Sequence, residues 1–453
     1  MGCDYLEEKP NVLLITIDCL RPDHLGVFGY SRETSPNIDK FANMSKNFKM
    51  AFSHGGATEE AFPTMLTGVP PPIDIEQCDI GIRRGTNIAK ILKDSGYITA
   101  AFNSNPFLSH YWGYANDFDT FYHNLKRGVE RHHTVTDGGI SAYLRLATTT
   151  PPIIRGKEIT DRAVSWINAA KAPFFAWLHY MDTHMPYLPP REFVNAIGVK
   201  PTNRFYMLWL YRKMYASNKR VYLTRDSNQS TLKLREVSNI VDYYDGGIRY
   251  VDSCFGLLLQ SLEEQNRFRD TLVILTADHG ELLGEKGMID HGLLYDQVIH
   301  VPLMISGTDI ACEVVKNPVT HLVIGDTIKT AVFGKQSSGI QSEDSFASFG
   351  RGMISTAVDH NRRIYSCRTQ DWKYIETIDL ASNQVASELY DLASDPNENK
   401  DVSEYKKELA LTFHNRVRSF VENNSTNPGV TREPFSKREE AQLQRNLREL
   451  GYE

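Results

Sequence analysis

The sequence lacks three features: an apolar run long enough to span a membrane, closely spaced cysteines, and an excess of positive charge. A membrane-spanning helix needs about 20 consecutive apolar residues, so we expect no stable membrane span. The six cysteines are scattered, which argues against a CxxC metal site and against a disulfide framework. The net charge of −6 argues against a nucleic-acid partner, because surfaces that bind nucleic acids are usually basic.

Residues 1–8 and the cysteine usage predict the compartment. The segment is acidic and has no apolar core, unlike a secretory signal peptide. Gly2 is followed at position 6 by Leu6, whereas the myristoylation pattern needs Ser or Thr there. Scattered cysteines are typical of a reducing compartment. We therefore expect a cytoplasmic protein, and the sequence is compatible with a homo-oligomer.

Apolar runs of strand length alternate with amphipathic segments of helical period along most of the chain. The predicted strands span residues 12–17, 98–102, 174–180 and 271–277. The predicted helices span residues 37–45, 87–95, 159–170 and 234–262. This alternation predicts an α/β fold in which a large, mostly parallel mixed sheet is sandwiched between helices.

The pattern changes after about residue 340, where shorter strand-like pieces begin. They span residues 353–358, 364–368, 372–378 and 388–392, and they indicate a small antiparallel sheet. Leucines at helical spacing predict a docking helix over residues 437–450. We therefore predict a catalytic α/β domain over residues 1–340 and a smaller C-terminal α+β subdomain over residues 341–453.

One segment, residues 199–230, differs from its surroundings. It is basic, rich in Tyr and Arg, and shows no clear period. It is compatible with a lid over the active face or, slightly better, with a plain insertion.

Two predicted strands end in side chains that can bind a metal. The strand over residues 12–17 leads into Asp18, and the strand over residues 271–277 leads into Asp278 and His279. In open α/β sheets, chemistry lies outside the carboxyl ends of the strands. Carboxylate oxygens and a neutral imidazole nitrogen are suitable metal ligands. The sequence therefore predicts one shared metal site.

A hydroxyl group follows the glycine pair Gly55-Gly56, where a helix is predicted to begin. Thr58 at this helix N-terminus lies in positive potential, and metal coordination would lower the pKa of its hydroxyl further. Thr58 is thus a candidate nucleophile. The alternative is that Thr58 only caps the helix.

Two histidines lie beyond strand ends and are candidates for contact with substrate. His184 follows the strand over residues 174–180 and is fixed by Pro186, so it is placed to bind an anionic oxygen or to protonate a leaving group. Asp182 is predicted to orient His184. His291, beyond the strand that ends at residue 277, can reach the same pocket. A structural role is the alternative for each histidine.

These residues occur in an order that resembles the sulfatase branch of the alkaline phosphatase superfamily: Asp18, Thr58, Asp182-x-His184-x-Pro186, Asp278-His279-Gly280 and His291. Weaker matches are Leu66-Thr67-Gly68 and residues 388–398. The resemblance covers nearly the whole chain. It implies a metal-dependent ester hydrolase or transferase that acts on a tetrahedral anion through a covalent intermediate. The implied metal ligands are Asp18, Thr58, Asp278 and His279, around one divalent ion: Mn, Zn, Mg or Ca.

The departures from the family pattern bear on the reaction. Sulfatases place a Cys or Ser that becomes formylglycine within C/S-x-P-x-R, whereas this chain has Thr58 and, four positions later, Phe62. We therefore expect no formylglycine. The family's sulfate-binding Lys and His are absent from residues 103–106, and Asp290 replaces a lysine. Cys19 replaces the second Asp of a pair, which favours a transition metal or Mg²⁺ over Ca²⁺.

A threonine at the nucleophile position is similar to the phosphate-processing relatives. The two-zinc nucleotide pyrophosphatases need a different ligand spacing, so we favour one metal. We predict hydrolysis of a phosphate mono- or diester. His184 and His291 are expected to contact the anion, and the further candidates for substrate binding are Arg21, Asn105, Asp182 and Lys286. The substrate is a small-molecule or a glycan or lipid ester. The alternatives are a phosphotransferase to a glycan or lipid acceptor, a sulfuric ester hydrolase, and a non-catalytic binding scaffold.

Overall fold

The computed structural model describes residues 9–69, 81–82, 85–123, 154–171, 173–224, 227–334, 352–359 and 362–424 of the 453-residue chain. The main sheet is built from strands β1 (Asn11–Ile17), β2 (Lys46–Phe52), β3 (Ile98–Asn103), β4 (Thr120–His123), β5 (Phe174–Tyr180), β6 (Thr271–Ala277), β9 (His300–Ser306), β10 (Glu313–Val315) and β11 (Val319–Thr320). Between β6 and β9 lies a short hairpin of β7 (Leu282–Leu283) and β8 (Ile289–Asp290).

Within the described residues, eight of the strands lie in the order β10-β2-β9-β6-β1-β5-β3-β4, and β11 also pairs with β2. All residues of β1, β5 and β6 are buried, which explains why these strands are continuous apolar runs rather than alternating ones. Strand β9 runs antiparallel to both β2 and β6, and the other pairs are parallel. The predicted large, mostly parallel mixed sheet is confirmed.

Helices cover both faces of this sheet. They are α1 (Pro36–Ala42), α2 (Thr58–Thr67), α3 (Ile88–Asp94), α4 (Gly156–Ala169), α5 (Arg191–Ala196), α6 (Arg204–Thr224), α7 (Leu234–Glu264), α8 (Asp296–Ile299) and α9 (Leu322–Phe333). The longest, α7, buries Ile240, Tyr244 and Ile248 along one face, as its apolar spacing predicts. Helices α1, α4 and α5 all pack against α7.

The basic, aromatic segment over residues 199–230 forms mainly helix α6. Its apolar period is hard to see in the sequence because aromatic and apolar side chains occupy both faces. Met207, Leu210 and Met214 are buried in the main core, whereas Phe205 and Trp209 are 50% and 45% exposed. The segment is therefore mainly a packed helix with an aromatic outer face, and its role as a lid or as a plain insertion stays a prediction.

The C-terminal part forms a separate antiparallel sheet, β12 (Met353–Asp359), β13 (Arg362–Arg368), β14 (Trp372–Asp379) and β15 (Val385–Asp391), in that order. Helix α10 (Lys407–Asn424) packs on one face through Phe413 and Val417. The other face contacts the main domain through a core that includes Phe52 and Ile299. The small sheet predicted from the sequence is confirmed, the division at residue 340 stays a prediction, and the helix predicted over residues 437–450 lies outside the described residues.

No helix in the described ranges is both long enough and apolar enough to cross a membrane.

Candidate active site

The parallel register of β1 with β5 and β6 brings three chain segments to one edge of the main sheet. Ile17 is paired with Tyr180 of β5 and with Ala277 of β6. The backbone N–H of Asp18 then donates to the carbonyl of Tyr180 at 2.9 Å. Asp18 and Asp278 therefore follow adjacent strand ends, as expected from the sequence, even though 260 positions separate them.

Asp18, Asp278 and His279 form a compact group of ligand atoms. One ligand atom from each lies within 4.8 Å of the others, and all three side chains are fully buried. The Nε2 atom of His279 lies 3.8 Å from Asp18 Oδ1 and 3.6 Å from Asp278 Oδ2. On the other side of the ring, Nδ1 lies 2.8 Å from the carbonyl of Gly280. A carbonyl accepts, so this contact places a hydrogen on Nδ1, and Nε2 is the ring nitrogen that faces the two carboxylates and could bind a metal ion.

The residues present fit a divalent metal ion. The buried Nε2 of His279 has no hydrogen-bond partner within the described part of the chain, which is costly unless a cation binds there. Burial disfavours ionised Asp18, but the rings of His184 and His179 outweigh it and hold the pKa of Asp18 well below its usual range. Burial and the neighbouring Asp18 raise the pKa of Asp278. A divalent ion would stabilise both carboxylates in the ionised form.

Thr58 is the first residue of α2, after Ala57 at the N-cap position. Its hydroxyl does not cap the helix. Instead, Oγ1 donates to Asp278 Oδ2 at 3.0 Å and accepts from Asn105 Nδ2 at 3.2 Å. The hydroxyl thus lies beside the metal-ligand group and at the positive end of a helix, where a developing oxyanion is stabilised.

Asn105 connects Thr58 to the other carboxylate. Its Nδ2 also donates to Asp18 Oδ2 at 2.9 Å, and its Oδ1 accepts from the N–H of Phe107 at 2.9 Å. The latter contact caps the 3-10 turn Pro106–Leu108 and fixes the orientation of the amide. Because Oδ1 of the amide is fixed by Phe107, its Nδ2 is held beside Asp18 and Thr58. The Thr58 hydroxyl therefore lies between this amide and Asp278.

The small sheet holds the loop that precedes Thr58. The N–H of Thr356 in β12 donates to the carbonyl of His54 at 2.9 Å, and the N–H of Gly56 donates to the carbonyl of Thr356 at 3.4 Å. From the other side, the N–H of Gly292 donates to the carbonyl of Gly56 at 2.8 Å. A side chain at position 56 would place Cβ 2.6 Å from the carbonyl oxygen of Leu293, so the position requires glycine.

The structure brings both candidate histidines to the metal-ligand group. His291 stacks on His279 with ring centroids 4.7 Å apart, and His184 packs edge-on to His291 at 5.1 Å. Burial disfavours the charged His291 ring, but contact with Glu281 at 3.2 Å outweighs it and raises the pKa of His291 to about 10. Burial lowers the pKa of His184. One ring is therefore cationic at neutral pH and the other is neutral.

Three predicted substrate-binding residues are engaged elsewhere. The guanidinium of Arg21 pairs with Asp23 at 2.7 Å and with Glu285 at 2.9 Å. Lys286 donates to the carbonyl of Glu398 in the small subdomain and lies over the ring of Tyr295. Each would have to give up these partners to reach an anion at Thr58.

The third is Asp182. It accepts from the N–H of Gly156 at 2.8 Å and pairs with Arg155 at 3.2 Å. The ring of His184 is positioned instead by the carbonyl of Met185, 2.6 Å from Nδ1. The expected orientation of His184 by Asp182 is therefore replaced by a backbone contact.

Two residues of the site were missed by the sequence reasoning. His179 in β5 lies 3.2 Å from Asp18 Oδ2 through Nε2 and 2.9 Å from Thr16 Oγ1 through Nδ1. Glu281, directly after Gly280, is fully buried against His291. The sequence contained a signal for each residue. His179 is a polar residue one position before the end of an apolar strand, and Glu281 is an acid directly after the Asp278-His279-Gly280 motif.

The sequence matches a known family. The Sulfatase family model matches residues 10–361. The chain belongs to the sulfatase family. Human iduronate 2-sulfatase is 25% identical over 331 residues, which are 65% of this chain and 59% of that protein. Arylsulfatase K of Bos taurus is 26% identical over 298 residues, which are 58% of this chain and 54% of that protein. The chain thus spans less than two thirds of the length of these relatives.

A third sulfatase relative and two solved structures match over more of the chain. A sulfatase of Formosa agariphila is 24% identical over 437 residues, 86% of this chain and 82% of that protein. The phosphonate monoester hydrolase of Agrobacterium radiobacter has a TM-score of 0.65 at 19% identity, covering 94% of this chain and 100% of that chain. A structure in complex with its substrate D-glucosamine-2-N,6-O-disulfate has a TM-score of 0.68 at 18% identity, covering 94% and 100%. Both structures confirm the sulfatase-like fold.

Proposed function

We propose that this sulfatase-family protein is a metal-dependent hydrolase of phosphate esters in which Thr58 is the nucleophile. The observation that supports this most is the position of the Thr58 hydroxyl, 3.0 Å from Asp278 Oδ2 and 3.2 Å from Asn105 Nδ2. Threonine cannot be converted to the aldehyde that sulfatases use. It can form a phosphate ester directly.

Asp18, Asp278 and His279 would hold the metal, with Thr58 Oγ1 beside them. When bound, a divalent ion acts as a Lewis acid: it neutralises the phosphate and lowers the pKa of the Thr58 hydroxyl.

Different side chains of the site then accept and donate the protons of the reaction. Thr58 passes its proton towards Asp278 as its oxygen forms a bond to phosphorus, and the bond from phosphorus to the leaving oxygen breaks. The leaving oxygen takes a proton from His291, which is cationic at neutral pH. Water then attacks phosphorus, the bond to Thr58 breaks, phosphate is released, and Thr58 and His291 recover their protons. Asn105 keeps Thr58 aligned both when the phosphate ester on Thr58 forms and when water hydrolyses it.

Sulfate ester hydrolysis is the competing function, because iduronate 2-sulfatase and arylsulfatase K are named for it. Against it, position 58 carries no formylglycine precursor, and position 62 carries a phenylalanine in contact with Trp177 and His179 rather than an arginine.

Phosphotransfer to an acceptor alcohol is a second candidate, favoured by the aromatic outer face of α6. This helix adjoins the site, since the Asn218 side chain donates to the carbonyl of Ile289 at 2.5 Å, next to Asp290. The exposed rings of Phe205 and Trp209 on the same helix would suit a sugar or lipid acceptor.

Turnover of four aryl substrates tests the proposal: a phosphate monoester, a phosphodiester, a phosphonate ester and a sulfate ester, each with Mn²⁺, Zn²⁺, Mg²⁺ or Ca²⁺. We expect phosphoester turnover that falls by about 10³-fold or more in Thr58→Ala and is partly retained in Thr58→Ser. Intact-mass analysis of rapidly quenched wild type should show one added phosphoryl group. Sulfate turnover that survives Thr58→Ala would refute the assignment, and alkyl phosphate formed with added alcohol would indicate transfer.

A further inference from the structure

A chain of hydrogen bonds leads to Asp18 from inside the main sheet, and the proposed reaction makes no use of it. The indole Nε1 of Trp177 lies 3.1 Å from Thr16 Oγ1, which in turn lies 2.9 Å from His179 Nδ1. On the other side of the imidazole, Nε2 lies 3.2 Å from Asp18 Oδ2. All four side chains are fully buried, and we call them the Trp177–Asp18 chain.

The parallel register of β1 with β5 creates this chain. Thr16 is paired directly with His179, so both side chains lie on the same face of the sheet. Trp177 comes two positions before His179 on the same strand and therefore shares this face. Asp18 comes two positions after Thr16, just beyond β1. A buried polar path thus crosses strands that are otherwise mostly apolar, and it ends at a proposed metal ligand.

The chain ends in a hydrogen bond that is donated to Asp18. An indole N–H can only donate, so Thr16 accepts from Trp177. An ionised carboxylate can only accept, so the hydrogen in the last contact belongs to His179 Nε2. The Thr16 hydrogen has two acceptors within reach, His179 Nδ1 and the carbonyl of Leu178 at 3.2 Å. With either acceptor, the imidazole still donates to Asp18.

The two carboxylate oxygens of Asp18 have different partners. Oδ2 accepts from His179 Nε2 and from Asn105 Nδ2, the latter at 2.9 Å. Two donors occupy both lone pairs of that oxygen. Oδ1 lies 3.8 Å from His279 Nε2 and accepts only from the thiol of Cys19, at 3.1 Å. A thiol is a weak donor, so Oδ1 is the oxygen that is left for a metal ion.

We propose that His179 is a positioning residue, which holds Asp18 so that it binds the metal through Oδ1 alone. Thr16 and Trp177 act through His179, because they fix the plane of its imidazole. The inference deepens the proposed function and rests on the metal-ligand group described above. Hydrogen bonds that orient a metal ligand contribute about 10–100-fold in metal affinity.

The metal affinity of two His179 variants tests this role without turnover. The full chain is stripped with chelator and titrated with Mn²⁺ alone in a calorimeter. In His179→Gln, the amide nitrogen can take the place of Nε2 and donate to Asp18, whereas the shorter side chain of His179→Asn reaches only Thr16. We expect the Kd for Mn²⁺ to rise by about 10–100-fold in His179→Asn and to stay within about three-fold of wild type in His179→Gln.

Two variants of Thr16 separate the chain from general packing. Thr16→Val removes the hydroxyl and should weaken Mn²⁺ binding by about ten-fold, whereas Thr16→Ser keeps the hydroxyl and should bind as wild type does. The matched control is Thr276→Val. Thr276 pairs with Thr16 and is also fully buried, but its hydroxyl donates to the carbonyl of Pro302 at 2.8 Å. This control should keep the wild-type Kd.

A Kd in His179→Asn or in Thr16→Val that equals the wild-type value overturns the proposal. Equal losses in His179→Asn and His179→Gln also overturn it, because they would result from loss of the ring and not of the donor to Asp18. Urea unfolding of the metal-free proteins establishes that each variant is folded, and the Thr16 variants decide the question if His179→Asn does not fold.

The same proteins distinguish this inference from the proposed function. A wild type that shows the expected order of affinities and hydrolyses no phosphate ester contradicts the proposed function alone. A wild type that hydrolyses the ester, with unchanged Mn²⁺ affinity in the variants, contradicts the positioning role alone.

Discussion

The Oε1 atom of Glu60 accepts a hydrogen bond from the backbone N–H of Val358 at 3.1 Å, although the two residues are 298 positions apart. Glu60 lies in the first turn of α2, two residues after Thr58, and Val358 lies in β12. The same strand bridges Gly55 through Thr356. Thr58 is therefore positioned by the small C-terminal sheet as well as by its own helix.

Gly56→Ala is expected to reduce turnover sharply. The new Cβ would lie 2.6 Å from the Leu293 carbonyl oxygen and 3.3 Å from Ala357 Cβ, so the loop must move away from β12 and shift Thr58. We expect kcat to fall by about 10²-fold, as for other displacements of about 1 Å.

Gly325→Ala is the matched control. This glycine lies inside α9, and a Cβ there meets nothing within 4 Å, so the variant should be more stable by about 0.5–1 kcal/mol with unchanged kcat. Equal kcat values for Gly56→Ala and the wild type would contradict the role given to the β12 contact.

Asn105→Ala should impair catalysis beyond its effect on stability. The change removes the donor to Asp18 and Thr58 and also the cap on Phe107. We expect kcat to fall by about 10²-fold, comparable to the loss of one preorganised donor. Asn87→Ala removes the equivalent cap from α3 and should cost about 1 kcal/mol of stability with no change in kcat. Steady-state kinetics and urea unfolding of both variants separate the two effects.

The contribution of His54 to the free energy of unfolding should fall as the pH drops from about 6.5 to about 4. Burial lowers the pKa of His54 to about 4, so the unfolded chain takes up a proton over this range while the folded protein does not. His54→Asn keeps a donor to the Ile354 carbonyl and removes the titration, so its stability should depend less on pH.

Urea midpoints measured between pH 7.5 and 4.5 provide the test. Some slope will remain in the variant, because burial also lowers the pKa of His321, to about 3, with the same sign. A pH profile identical to that of the wild type would show that His54 is not buried in its neutral form.

Lys373→Met should destabilise the junction between the two sheets. Lys373 is fully buried, with Nζ 2.7 Å from Asp296 and 3.2 Å from Glu398. Removing the cation leaves the fully buried Glu398 carboxylate without Lys373, whereas the half-buried Asp296 keeps Arg368 at 2.8 Å, and the loss of a buried pair of this kind costs about 3–5 kcal/mol. The double variant Lys373→Met with Glu398→Gln should recover part of the loss. Lys90→Met, at an exposed pair with Asp94, should leave the thermal midpoint unchanged.

The strand-end acids were predictable because the sequence encodes them locally. Asp18 and Asp278 each follow an apolar run, and parallel strands place their carboxyl ends at one edge. The local sequence does not show which of those runs pair, or in which direction. Strand β9 has the apolar character of β6, and only the tertiary fold makes it run antiparallel between β2 and β6.

The partners of Arg21 and Lys286 could not be predicted from residue type. A cation near an anion-binding motif suggests substrate contact, yet the partner of a long charged side chain depends on distant segments. Asp23 is local to Arg21, but Glu285 and Glu398 reach these cations only through tertiary contacts. Glu281 is the converse case, because a glutamate after a glycine is usually exposed and this one is fully buried.

The position of β1 in the centre of the main sheet has a consequence for biosynthesis. It is the first strand of the described chain, yet its two neighbours, β5 and β6, begin at Phe174 and Thr271. On the ribosome, a mostly apolar strand therefore remains with one edge unpaired until more than half of the sequence has been translated. Unpaired apolar edges promote association between chains. We infer that the nascent polypeptide is the species most in need of chaperones, and that refolding yield will fall steeply with protein concentration.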